Sequence, residues 1–183
     1  HQSERERKLR LRQILSRLIQ FRRDELTAFN AFQIFNMPVS FKIDEAELGQ
    51  KYFQIQKMVH PDRFASASEA EKRNAQQWST RLNDAYSVLK DPIQRAKLVC
   101  ALLGSPVDEE SSGSINEEFL MDQLIRREEI STAKEANDET RLKKLKEEIS
   151  GEKEDLLKKV EHSLDEDKDP KTASENIKKI MFL

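Results

Sequence analysis

The chain has 183 residues, enough for one ordinary hydrophobic core or two small ones, with four glycines, five prolines and 36% charged side chains. Leu, Lys, Glu, Gln and Ala recur at helical spacing and only 7% of residues are aromatic, which predicts an all-α protein and argues against a sheet. The single cysteine, Cys100, excludes an intrachain disulfide framework or a cysteine-based zinc site, and no apolar run approaches the ~18 residues of a membrane span.

The formal charge of −2 hides a gradient: residues 1–30 carry a net +4, residues 31–103 a net +2 and residues 104–183 a net −8. The shift falls at Gly104-Ser105-Pro106 and predicts separate modules. The acidic half has the wrong sign for nucleic acid, and the basic half lacks the aromatic interleaving that such binding uses.

Residues 9–22 place Leu11, Ile14, Leu15, Leu18 and Ile19 on one helical stripe among arginines. A basic, amphipathic segment of this kind resembles a mitochondrial transit peptide, although Glu4, Glu6, Asp24 and Glu25 weaken that reading. An ordinary packing helix and a membrane-surface segment are the alternatives. The start at His1 suggests a fragment, a processed chain or a tag residue.

Residues 31–36 predict a short apolar turn of helix ended by Met37-Pro38. Asp44 is a suitable N-cap for a helix to about Val59, with Glu47 placed to close a capping box. Leu48, Tyr52, Ile55 and Val59 form its buried stripe. His60-Pro61-Asp62 stops it, because proline lacks a backbone N–H and its ring clashes with the preceding turn. A second helix starts near Ser68-Glu69 and runs to Lys90, carrying Ala75, Trp78, Leu82, Ala85 and Leu89. Asp91-Pro92 starts a third, which ends at Gly104. Two narrow stripes joined by a short loop predict an antiparallel hairpin with the loop at its tip. Cys100, in the run Leu98–Leu103, reads as a small buried hydrophobe rather than a nucleophile.

Residues 107–116 are acidic and Ser/Gly-rich, hence a linker. Phe119, Leu120, Leu124 and Ile130 mark a helix over about 117–135. Leu142, Leu145, Ile149, Leu156, Val160 and Leu164 mark a longer one that Gly151 is expected to interrupt. Ala173, Ile177, Ile180 and Met181 mark a last helix from Pro170, and the three helices predict a bundle. The domain boundaries follow: an N-terminal extension 1–30, a helical module 31–104, a linker 105–116 and a C-terminal three-helix domain 117–183.

His60 and Asp62 allow three readings. A catalytic or metal pair would need further ligands or a nucleophile, and His1 and His162 show no supporting spacing. A plain turn uses Asp as a cap and Pro for rigidity. A rigid docking tip uses Asp62 to accept an arginine from a partner.

A long helix, His60-Pro61-Asp62-Arg63, then a helix ending Leu82-Asn83-x-Ala85-Tyr86-x-x-Leu89-x-Asp91-Pro92-x-x-Arg95-Ala96 resembles a J-domain, the Hsp70 co-chaperone module. "HPDRFASAS", with Phe64 after the basic residue, "FLMDQLIRREE" at 119–129 and "KKIMFL" at 178–183 narrow the likeness to the iron–sulfur branch, bacterial HscB and mitochondrial Jac1. That resemblance implies a non-enzymatic co-chaperone without cofactor or metal. It implies docking of His60, Pro61 and Asp62 on the ATPase domain of an Hsp70 of the HscA or mitochondrial type, with Lys51, Lys57 and Arg63 as secondary contacts. Val59 stands where an aromatic is usual, and Phe53 and Met58 where polar residues are frequent, which favours a dedicated Hsp70.

The resemblance also implies binding of the scaffold protein IscU (Isu in fungi) through Leu120, Met121, Leu124, Glu128 and Phe182. Leu120, Leu124 and Glu128 share one helical face and Met121 borders it; the alternative is that Leu120 and Leu124 are bundle core. Ile125 and Thr132 depart from the acidic and basic residues common at the rim of that patch. Relatives continue the last helix past Leu183, so a truncation or tail is expected there. A tetracysteine zinc module found in some members is impossible with Cys100 alone. A mitochondrial matrix location is expected, with the bacterial cytoplasm as the alternative. The rival function is a general J-protein with another client or a dimerising bundle.

Overall fold

The computed structural model describes residues 29–108 and 115–183, together with the pair 5–6. The basic segment 9–22 and residues 109–114 of the expected linker lie outside the described residues. Among these, helices α1 (Ala31–Ile34), α2 (Glu45–Val59), α3 (Glu69–Lys90), α4 (Pro92–Leu102), α5 (Glu117–Glu135), α6 (Glu139–Glu161) and α7 (Pro170–Phe182) follow in order. A 3-10 turn (Pro61–Phe64) separates α2 from α3, and a π-turn (His162–Glu166) follows α6. The protein is all-α among the described residues, as its composition predicts. Its contacts divide it into two units: α1 to α3 with the 3-10 turn, and α4 to α7 together with Ser40–Lys42.

In the first unit, every helix start is set by a local side chain. Asn30 and Gln33 close a reciprocal capping box on α1. The Asp44 carboxylate accepts from the amides of Ala46 and Glu47, starting α2. Glu47 does not close the expected box; it reaches forward to Lys51 Nζ at 3.0 Å, the i, i+4 partner on the same face. Ser68 caps α3 through the amide of Glu71. Leu48, Ile55 and Val59 are buried on α2, and Ala75, Trp78, Leu82, Ala85 and Leu89 on α3. Tyr52 is only half-buried: its ring stacks on Tyr86 with centroids 4.1 Å apart, and its hydroxyl donates to Asn83 Oδ1 at 2.6 Å. α1 packs on α3, contributing Phe32 and Ile34 to the core. This is the predicted hairpin with a short closing helix.

In the second unit, α4 packs on α7, and α7 on α6. The division therefore falls at Asp91/Pro92, one helix earlier than the boundary read at Gly104-Ser105. The reason is burial: Arg95, Ala96, Val99 and Cys100 of α4 are buried, as are Ala173, Ile177 and Ile180 of α7. Gly104, at φ +91°, ends α4 in a Schellman motif, its amide on Ala101 O and that of Ser105 on Cys100 O, both at 3.0 Å. Gly151 does not interrupt α6, which runs unbroken through it from Glu139 to Glu161. A Cβ added at Gly151 would meet no heavy atom within 4 Å, so the position asks nothing of glycine.

The segment Ser40–Lys42 is built into this unit by non-local contacts. Asp165 in the π-turn accepts the amides of Phe41 and Lys42 at 2.7 and 2.9 Å. Arg95 donates from Nε to the Phe41 carbonyl and lays its guanidinium 4.8 Å from the centre of the Phe41 ring. Phe41 is buried as a result.

Candidate functional site

The first candidate site is the tip of the α2–α3 hairpin. His60 is at once the C-cap of α2 and the N-cap of the 3-10 turn. Pro61 occupies the first position of that turn, where no N–H is required. His60 Nδ1 accepts the Asp62 amide at 3.2 Å, and the Arg63 amide donates to His60 O at 3.0 Å. The turn is thus closed by histidine and proline, without the Asp62 carboxylate. That carboxylate is 91% exposed, with Oδ2 lying 3.5 Å from His60 Nδ1. Because Nδ1 is the acceptor of the Asp62 amide, its approach to the carboxylate is not a hydrogen bond. The loop is a turn, as the plain reading expects, and its closing hydrogen bonds are made by His60.

The basic residues flanking the tip fall into different roles. Arg63 is exposed beside Asp62. Lys57, in the last turn of α2, holds Nζ 4.3 Å from the centre of the exposed Phe53 ring. Lys51 is half-buried and turned inward, pairing with Glu47 and donating to Asn36 O at 3.4 Å. At about 100° per residue Lys51 lies roughly a third of a turn around α2 from Lys57, so the two do not form one patch. Phe64 is half-buried.

The second candidate site lies on the C-terminal bundle. The inner side of α5 is polar or small: Gln123 and Ala133 are buried, and Arg126 forms a two-pronged pair with Glu152 of α6, one bond at 2.9 Å. Glu152 holds the guanidinium more firmly protonated than usual, through this hydrogen bonding before its charge. Three of the apolar residues of α5 are exposed. Met121 and Leu124 are each 57% exposed and Ile125 is 50% exposed, whereas Leu120 is half-buried. Leu124 is surface, and the bundle-core alternative fails for it. Glu128 is exposed one turn further along the same face.

The last turn of α7 adds to this end of the bundle. Lys179 Nζ lies 5.6 Å from the centre of the Phe119 ring, bringing that turn beside the first turn of α5. Phe182 and Met181 are both exposed there. Met181, one of the apolar residues that mark α7 in the sequence, is 47% exposed.

Among the described residues, no group of three or more His, Cys, Asp or Glu side chains is placed to hold a metal ion, and no helix is long and apolar enough to cross a membrane. Cys100 is fully buried, and burial pushes its thiol up to about 11.

Residues 115–183 match the family model of the HSCB C-terminal oligomerisation domain. The co-chaperone protein HscB homolog of Burkholderia multivorans is 39% identical over 152 residues, 83% of this chain and 86% of that protein; that of Burkholderia vietnamiensis is 38% identical over the same span. The structure of chaperone HscB from Vibrio cholerae superposes with a TM-score of 0.75 at 30% identity, covering 84% of this chain and 90% of that one. Human co-chaperone protein HscB superposes with a TM-score of 0.77 at 27% identity, covering 84% and 76%. The curated relatives are bacterial, so the expected mitochondrial location finds no support in them. With a relative this similar over most of both lengths, an all-α architecture of J-domain and C-terminal helical bundle, and solved HscB structures that superpose on it, the chain belongs to the HscB co-chaperone family.

Proposed function

We propose that this chain carries an iron–sulfur scaffold protein of the IscU type to an Hsp70 and stimulates that partner's ATP hydrolysis, which promotes transfer of the cluster as cargo. Asp62 accepts an arginine of the Hsp70 ATPase domain, Pro61 fixes the turn and His60 caps it. Lys57 and Arg63 supply attraction around the tip, while Lys51 contributes chiefly to the fold. The scaffold binds the face made by Leu120, Met121, Leu124 and Glu128, with Phe182 at its edge. The bacterial cytoplasm is the setting that the relatives favour.

The observation that carries this reading is the Asp62 carboxylate, 91% exposed and not needed to close its own turn. Two sites on one chain raise the effective concentration of scaffold at the Hsp70, so modest individual affinities suffice.

The test is Asp62→Asn in a single-turnover ATPase assay with an HscA-type Hsp70. Stimulation should vanish while helicity and IscU retention stay at wild-type values, and undiminished stimulation would sink the mechanism. Leu120→Ser with Met121→Ser should do the reverse, releasing IscU while leaving scaffold-independent stimulation in place.

A second reading has the same apolar face covering a second copy of this chain, favoured by the oligomerisation description of the matched family model. Light scattering separates them: a dimer that the double substitution converts to monomer, with no IscU bound, supports self-association.

A further inference from the structure

The oxidisable sulfurs of this chain belong to one cysteine and four methionines, and the fold shields them unequally. Cys100 is fully buried, which keeps oxidants away and holds its thiol protonated. Met37 and Met58 are half-buried, both in the unit of α1 to α3. Met121 and Met181 are 57% and 47% exposed, both on the C-terminal bundle. Of these two, Met121 adjoins Leu120 and sits one turn before Leu124 on α5, within the face assigned to the scaffold. The leucines of that face are inert to mild oxidants, whereas a thioether takes up one oxygen and becomes polar. One exposed sulfur thus sets the polarity of this apolar face.

We propose that Met121 is a reversible oxidation site whose conversion to the sulfoxide releases the scaffold from the α5 face. The inference rests on the scaffold reading above. The oxidant is hydrogen peroxide. A lone pair of the Met121 sulfur attacks one peroxide oxygen; the O–O bond breaks and an S–O bond forms. The displaced hydroxide takes the proton from the transferred oxygen and leaves as water, so sulfur loses two electrons and the peroxide gains them. Two thiols reverse the step through a methionine sulfoxide reductase, giving thioether, disulfide and water. In the free chain the new oxygen stands in water, because Met121 is exposed, and the fold is untouched. Under a bound scaffold the same oxygen is a buried acceptor facing apolar groups, which opposes binding. Oxidation therefore acts on association and not on folding.

The test exposes the full-length protein to limiting hydrogen peroxide, removes the excess with catalase and only then adds IscU. Peptide mass spectrometry should find Met121 and Met181 gaining one oxygen several-fold faster than Met37 and Met58. The oxidised protein should bind IscU about tenfold more weakly with unchanged helicity, and the sulfoxide reductases with a dithiol should return it to the untreated affinity. Met121→Leu should give one and the same affinity before and after peroxide, while Met181→Leu should lose about tenfold on oxidation as the wild type does. Met121 oxidised no faster than Met58, or a Met121→Leu protein that still loses affinity, overturns the proposal. Untreated wild type that retains no IscU defeats the scaffold reading and this one with it. Untreated binding that oxidation of Met121 leaves unchanged defeats this one alone.

Discussion

Two glycines of the C-terminal unit should respond in opposite directions to the same substitution. Gly151 lies inside α6, and an added Cβ meets no heavy atom within 4 Å. Alanine there gains the helix-propensity difference, about 1 kcal/mol, part of which comes from a less disordered unfolded chain. Gly104 also has open space around it, but its φ of +91° is one that L side chains rarely adopt. Alanine at Gly104 must either strain that conformation or give up the two Schellman hydrogen bonds, a loss of roughly 1 kcal/mol or more. In a body of about a hundred residues, 1 kcal/mol moves the melting midpoint by ~4–8 °C. Calorimetry on the full chain should therefore show Gly151→Ala melting several degrees higher and Gly104→Ala several degrees lower. A fall for Gly151→Ala would mean that the glycine breaks α6 after all, and an unchanged midpoint for Gly104→Ala would refute the left-handed cap.

Cys100 gives a prediction in pH. Because burial raises its thiol from 9.0 to about 11, the folded chain keeps a proton that the unfolded chain releases; this contribution to stability is intact below pH 9 and is lost as pH rises through 11. At neutral pH iodoacetamide should label the native protein only as fast as it opens, and rapid labelling would contradict the packing of α4 on α7. Leucines 145 and 124 should separate stability from binding. Leu145→Ala, from 1% exposed, should cost about 2–5 kcal/mol in urea denaturation. Leu124→Ser, from 57% exposed, should change stability by less than ~0.5 kcal/mol yet weaken IscU binding.

Helix ends were the most legible part of this fold because local chemistry sets them. Asp44, Ser68, Pro92 and Pro170 each stand at the start of the helix they predict, and Gly104 just past the end of another. Local rules failed where two local partners compete. Glu47 could serve the N-cap or Lys51, and the two pairings differ by only tenths of a kcal/mol. They failed at Gly151 for a different reason: the ~1 kcal/mol propensity penalty is outweighed by burying Leu145 and Val160 on the same helix. Asp91-Pro92 and Gly104 punctuate α4 correctly but say nothing of which neighbours it packs on. The capture of Phe41 by Arg95 and Asp165 joins residues 54 and 124 positions apart, beyond any periodicity argument.

The site residues were legible as motifs, but their alternatives were separable only with the fold in hand. Periodicity shows that Leu120 and Leu124 share a face, and cannot show whether that face points in or out. Arg126 decides it, because its partner Glu152 is on the next helix. Turning Gln123 and Arg126 inward and Met121, Leu124 and Ile125 outward leaves each of these apolar side chains about half in water, forgoing on the order of 1 kcal/mol apiece relative to full burial. A fold under selection for stability alone has no use for that arrangement. Asp62 differs, because its carboxylate is solvated where it stands: His60 already closes the turn, and the exposure costs the fold nothing. Conflict between local chemistry and fold stability is what a docking surface produces, because its residues are satisfied only when the partner is present.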